Sequence, residues 1–269
     1  MSQTSLPEHR VLVAEANLRD LGDLPTTDGR TVRTGRLFRS GYLCDLQGSA
    51  LATVEGLGLR TIIDLRRPDE IRNRPHPDFD GTEVVHVSVS ADDNEFAVLA
   101  NRMEVDPSAI PGPELIADYF RNTVRNRLDR YRTVFDLATD PDRHPLLFNC
   151  TAGKDRTGFV AGSLLRLLGV PEDVVITDYL LSNDVRREWI QQREDQHRQL
   201  IADRLHVAPD EVGDEHMVNT RAILWCNAAY LAASFDTVEE FWGTWETFRQ
   251  DGLGLDDTRM DAFHDAMLA

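Results

Sequence analysis

Between Leu146 and Leu168 the chain passes from a short apolar run, through a loop reading Cys-Thr-Ala-Gly-Lys-Asp-Arg-Thr, into an apolar helical pattern closed by Gly169 and Pro171. No other stretch constrains the fold as tightly. Leu146, Leu147 and Phe148 form a continuous hydrophobic run, as a strand buried on both faces requires. A helix is expected from Thr157 to Leu168, because Gly169 supplies a stop and Pro171 cannot continue it.

Other elements follow from pattern. Strands are expected at Arg36 to Arg39, Leu59 to Leu65 and Glu83 to Val89, the second being β-branched and apolar. Ser49 to Leu57 reads as a helix, and residues 90–113, acidic and then Pro-rich, read as a loop. From Glu114, residues Ile116, Phe120, Val124, Leu128, Tyr131 and Phe135 fall three or four apart and share a helix face; Pro141 to Arg143 breaks the pattern. Beyond residue 172 everything reads as helical: Trp189 to Leu205, highly charged, then Val218 to Phe235, Val238 to Phe248 and Asp257 to Leu268. Strands alternating with helices imply an α/β fold whose helical C-terminal part caps or extends one core. Residues 1–269 are therefore expected to form a single domain.

The net charge of −17 argues against a general nucleic-acid binder, whose affinity rests on neutralising phosphates. An anion site in this chain must be locally basic. No apolar run of about 18 residues indicates a membrane span, and Met1 to Asn17 lacks an apolar core of signal-peptide length. The three cysteines, Cys44, Cys150 and Cys226, suit a reducing compartment, and a cytoplasmic location is expected. Cys44 and Cys226 read as small buried apolar residues. No CxxC or HExxH spacing appears, so neither a metal nor another cofactor is expected.

The loop 150–157 carries the chemistry. A short loop at a helix N-terminus turns its amide N–H groups inward, and those donors with the helix dipole favour an anion. Thr151, Ala152, Gly153, Lys154 and Thr157 are the expected phosphate-binding residues, with Ala152 and Gly153 leaving room for the phosphate to approach the backbone. Arg156 supplies a planar fork matched to two phosphate oxygens. Cys150 points at the same centre, where the donors that hold phosphate also stabilise a thiolate. Such a thiolate attacks phosphorus to give a phosphocysteine that water then clears, with Thr157 helping the sulfur to leave. A nucleotide-binding P-loop is excluded: Asp155 follows Lys154 where Ser or Thr is needed, and Phe148 occupies the first glycine position.

With Cys-Thr-Ala-Gly-Lys-Asp-Arg-Thr-Gly at 150–158, the chain resembles the bacterial tyrosine and dual-specificity phosphatases of the tyrosine-phosphatase superfamily. The resemblance extends to Asn17-Leu18-Arg19-Asp20, Leu37-Phe38-Arg39-Ser40, Ile63-Asp64-Leu65-Arg66, Asp178 to Asn183 and Ala229 to Ala233, and so covers most of the chain. It implies a cysteine-phosphatase fold with a central, mostly parallel sheet flanked by helices. It also implies no metal and a helical segment over the active site, for which 184–210 is the lid candidate by position. The family usually has His before the nucleophile; here it is Asn149, which can hydrogen-bond but cannot carry charge.

The general acid is open among three places. Asp155 lies in the loop, and the family's similar loop suggests it. Asp92 or Asp93 could sit on a separate loop. Asp64 ends a strand and could instead orient the loop. Lys154 resembles the basic loops of phosphoinositide phosphatases, and Arg66 and Arg67 could add charge or pair with Asp69 or Glu70. Substrates of this kind would be phosphorylated proteins or phosphoinositides, with phosphate-like anions as active-site ligands. Two competing functions are a phosphate-binding pseudophosphatase, which only Asn149 supports, and a rhodanese-type sulfurtransferase, whose loop needs an early arginine that Thr151 and Ala152 do not supply.

Overall fold

The computed structural model describes residues 8–90 and 112–269. Six strands, β1 (Val11–Val13), β2 (Leu18–Asp20), β3 (Leu37–Ser40), β4 (Thr61–Asp64), β5 (Glu83–His86) and β6 (Leu146–Asn149), form one sheet in the order β1-β2-β3-β6-β4-β5. The β3, β6, β4 and β5 ladders are parallel, and β1 and β2 extend one edge antiparallel. The mostly parallel α/β sheet implied by the sequence is present.

The apolar run of β6 sits between β3 and β4 and is buried throughout. Alternation divides it. Leu146 and Phe148 enter the larger core with Leu37 and Ile63, whereas Leu147 packs with Phe38 and Ile62 on the other face. The smaller face is covered by α1 (Gly48–Gly56), through Val54. The larger carries α3 (Gly112–Asn126), α4 (Leu128–Ala138), α5 (Asp155–Leu167), α6 (Glu172–Val185) and α9 (Ala228–Trp242). Short α2 (Pro68–Asn73) follows β4, and α10 (Asp257–Met267) closes the chain. In the parallel register Ser40, Asn149 and Asp64 lie side by side. The carboxyl ends of three strands thus meet at one crevice, where open α/β sheets bind ligands.

Three expected helices are divided. The six apolar positions from Ile116 to Phe135 are all buried, but Arg127, at φ −134° and ψ 7°, separates α3 from α4. The three-or-four spacing runs unbroken across that joint, so periodicity could not show it. The expected helix from Val218 to Phe235 is interrupted between α8 (Asp214–Leu224) and α9, where Asn227 caps α9 by accepting from the Ala229 N–H. Gly243, at φ +78°, ends α9 inside the stretch expected as Val238 to Phe248.

The charged stretch forms α7 (Arg187–Leu205), which buries only Ile190 and Ala202. A separate small core of Ala202, Val212 and Met217 ties it to α8. Among the described residues no helix is long and apolar enough to cross a membrane.

Candidate active site

Cys150 leaves β6 with only 2% of its surface exposed, residues 151–154 bend, and α5 begins at Asp155. Three successive peptides of this bend are held by their carbonyls. The Thr151 carbonyl accepts from the Tyr42 N–H at 3.2 Å. The Ala152 and Gly153 carbonyls accept from Asn17 Nδ2 at 3.2 and 3.1 Å, and the latter also from Arg39 Nη2 at 3.0 Å. In a trans peptide the N–H points opposite to its C=O. The N–H groups of Ala152, Gly153 and Lys154 are therefore turned the other way, and among the described residues none meets a protein acceptor. With the start of α5 they make a concave set of donors for an anion.

Gly153 has a reason beyond the room expected for phosphate. Its φ is +64°, and a Cβ there would lie 2.5 Å from the Gly41 nitrogen and from the Ser40 carbonyl carbon. Only glycine lets the loop press on the end of β3.

The carbonyl-holding network ends in a sealed cluster. Asp178 of α6 meets Arg10 at 2.8 Å, Arg19 at 3.2 Å and Arg39 at 2.8 Å, all four residues being almost fully buried. Burial works to raise the Asp178 carboxyl, but the charges of Arg19, Arg10 and Arg39 overcome it and hold it far below the carboxylate range. Burial and the Arg39 charge lower Arg19 to about 10. Asn17 Oδ1 accepts from Arg19 at 2.7 Å, which aims its amide at the loop. Segments noted above only for their resemblance, around Asn17, Arg39 and Asp178, therefore act together as the support of the loop.

On the cavity side, Arg156 is gripped by a residue that sequence reasoning considered only as a surface partner for Arg66 or Arg67. Glu70 accepts from Arg156 Nη1 at 2.8 Å and from Nη2 at 2.9 Å, and also from the Thr151 hydroxyl. Burial opposes the Glu70 charge, yet the Arg156 hydrogen bonds and charge bring its carboxyl down to about 2. Burial disfavours the charged Arg156, but the Glu70 hydrogen bonds and the nearby Cys150 and Glu70 charges raise it. The local signal for Glu70 was its place three residues after Arg67 with Pro68 between, an N-terminal capping pattern, and Glu70 does accept from the Arg67 N–H at 2.8 Å. Nothing local announces Arg156, which is 86 residues away. Arg67 pairs with Asp69, and Arg66 with Asp64.

The remaining expected residues divide. Asp155 lines the cavity, with Oδ2 3.5 Å from Lys154 Nζ and Oδ1 accepting from the Tyr179 hydroxyl at 3.5 Å. Lys154 also lines it, but it is buried, and its ammonium donates to the Ile223 carbonyl and, at 3.5 Å, to that of Trp225 at the end of α8. Thr157 is buried, and its hydroxyl donates to the Ser40 carbonyl at 3.4 Å. Asn149 Nδ2 lies 3.4 Å from both Asp64 Oδ1 and the Cys150 carbonyl oxygen, and its Oδ1 has no partner among the described residues. Asp64 is fully buried against Arg66 at 2.8 Å and His76 at 3.1 Å. These hydrogen bonds and charges outweigh burial and hold its carboxyl well below the ordinary range. Asp92 and Asp93 lie outside the described residues.

Cys150, Thr151, Asp155 and Arg156 border a cavity of about 280 Å³ whose other walls include Tyr119, Trp189, Ile223 and Leu224. A free thiol, turned-out amides and an arginine fork thus share one cleft with a carboxyl group. Cysteine-dependent phosphate-ester hydrolysis requires this set of groups. The model of the tyrosine phosphatase family matches residues 12–269, and the chain belongs to that family, whose members are phosphoric monoester hydrolases. It is 34% identical over 248 residues to a Cupriavidus necator protein provisionally designated a tyrosine-protein phosphatase, covering 90% of this chain and 82% of that one. It is 31% identical over 272 residues to the triple specificity protein phosphatase PtpB of Mycobacterium tuberculosis, covering 90% and 93%. Among solved structures, the core catalytic domain of the PP-IP phosphatase SIW14 from S. cerevisiae matches 68% of this chain and 95% of that one. The two share 16% identity, with a TM-score of 0.34.

Proposed function

We propose that the protein removes phosphate from phosphorylated proteins, phosphotyrosine foremost, through a phosphocysteine on Cys150. The thiolate sulfur attacks phosphorus while the bond to the leaving oxygen breaks, and Asp155 gives that oxygen its proton. The Asp155 carboxylate then takes a proton from water as the water oxygen attacks phosphorus. The P–S bond breaks, phosphate departs and the thiolate is restored. Through both steps the phosphoryl oxygens rest on the amides of 152–154 and on Arg156, whose plane Glu70 sets through its two bonds. Asp64 and Asn149 support the base of the loop. A reducing location such as a bacterial cytoplasm suits this chemistry, and Cys44, Cys150 and Cys226 are all free thiols.

The observation that supports this most directly is the held set of loop carbonyls, which leaves three consecutive N–H groups to meet an anion beside Cys150. The apolar walls Tyr119, Trp189, Ile223 and Leu224 favour an aromatic phosphate. Trp189 comes from α7 and Ile223 and Leu224 from α8, so we assign this weakly buried pair as the lid of a single phosphatase domain. Para-nitrophenyl phosphate turnover, inhibited by vanadate, tests the reaction. Cys150→Ser should lower kcat by about 10⁴-fold or more while the melting temperature holds. A Cys150→Ser protein that still turned over substrate would sink the mechanism.

A further inference from the structure

Four cations line the cavity beside Cys150: Arg67, Lys154, Arg156 and Arg186. Three already face carboxylates. Arg67 meets Asp69 at 2.6 Å, Lys154 meets Asp155 at 3.5 Å and Arg156 meets Glu70 at 2.8 Å. Arg186 does not: among the described residues its guanidinium makes no hydrogen bond or ion pair, and it lies 4.2 Å over the ring of Trp189. The position is nonetheless built. Arg186 joins α6 to α7; its N–H donates to the Ser182 carbonyl at 3.2 Å and its carbonyl accepts from the Ile190 N–H at 2.9 Å. Burial, outweighing the opposing negative charge of its surroundings, lowers the guanidinium's hold on its proton. A half-buried cation without an anion is costly, and the cost is recovered when a ligand brings the charge.

A second cavity of about 660 Å³ adjoins the first. The two share Thr151, Ala152, Arg186 and Trp189, so Arg186 stands at their junction. The larger space runs past Ala16, Gly41 and Tyr42. It offers room for chain beyond a phosphorylated side chain seated at Cys150.

We infer that Arg186 forms an anion subsite beside the reacting phosphate, taking a carboxylate or second phosphate on the residue next to the phosphorylated one in a peptide substrate. This rests on the hydrolase reading above. Because Arg156 remains the clamp of the transferred group, Arg186 governs which peptides bind rather than whether phosphorus is attacked.

The test uses phosphotyrosyl peptides identical except for Asp, phosphoserine or Ala beside the phosphotyrosine, with para-nitrophenyl phosphate and a soluble inositol polyphosphate in parallel. The wild type should favour the Asp and phosphoserine peptides. Arg186→Gln should cut that preference in kcat/KM about tenfold, chiefly through KM, and Arg186→Lys should restore part of it. Equal losses on all peptides, or an unchanged ratio, overturn the subsite. Arg186-dependent discrimination confined to the inositol polyphosphate overturns the peptide assignment. A wild type inert toward para-nitrophenyl phosphate overturns the hydrolase reading and the subsite with it. A wild type that hydrolyses that ester but shows no Arg186-dependent preference overturns the subsite alone.

Discussion

The phosphate loop has two faces, and both are held by arginine–carboxylate contacts of opposite character. On the cavity side a single pair, Arg156 with Glu70, keeps 11% and 18% of its side-chain surface exposed, so an incoming dianion can reach the fork. Behind the loop three guanidiniums surround Asp178 with essentially no exposure. The exposed pair can exchange partners. The sealed cluster cannot, because parting its charges would strand them without water. One face leaves its ion pair open to the cavity, and the other keeps the loop carbonyls turned away from it.

This contrast can be broken first at its rigid side. Asp178→Asn leaves three buried guanidiniums around a neutral amide and should cost about 3–5 kcal/mol in urea unfolding. A cost below about 1 kcal/mol would mean the cluster is not sealed. Asp155→Asn tests the cavity side without touching that support. Turnover of phenyl phosphate, a poor leaving group, should fall about 10²–10³-fold, with a much smaller loss on para-nitrophenyl phosphate. Equal losses on both esters would remove Asp155 as the proton donor.

Glu70→Gln sharpens the comparison through pH. The folded carboxyl, at about 2, lies below its ordinary value of 4.5. The pair's stability is therefore complete above that ordinary value and is lost as pH falls through about 2. Wild type should exceed Glu70→Gln by about 2 kcal/mol near neutrality, and the gap should close on acidification. A gap that persisted at the acid end would contradict a charge-based origin. The smallest effect is expected at Lys154. Its ammonium is engaged by the carbonyls closing α8 and by Asp155. Lys154→Met should cost about fivefold in kcat/KM, equally for para-nitrophenyl phosphate and for an inositol polyphosphate. A selective loss on the polyphosphate would support the substrate-binding role that the basic loop suggested.

Cys150, Arg156 and the strand–loop–helix around them were legible because each lies within one short segment. A strand buried on both faces, a tight loop and a capped helix leave local marks in residue type and spacing. In the sequence Glu70 stands only as a pairing partner for Arg66 or Arg67, and Asp178 only as part of a similar segment. Their partners sit 86 and as many as 168 residues away, and ion pairing leaves no periodicity along the chain. The breaks at Arg127 and Asn227 escaped for a related reason: apolar spacing reports which face is buried, not where the axis turns.

The sequence by itself determined the reaction class, through the order of cysteine, tight loop and arginine in seven residues. Only the tertiary structure decided how that loop is held and what it faces. The direction of its amides depends on Asn17 and Arg39 taking its carbonyls, and that contact exists only once β3 lies beside β6 and α6 brings Asp178 onto Arg39.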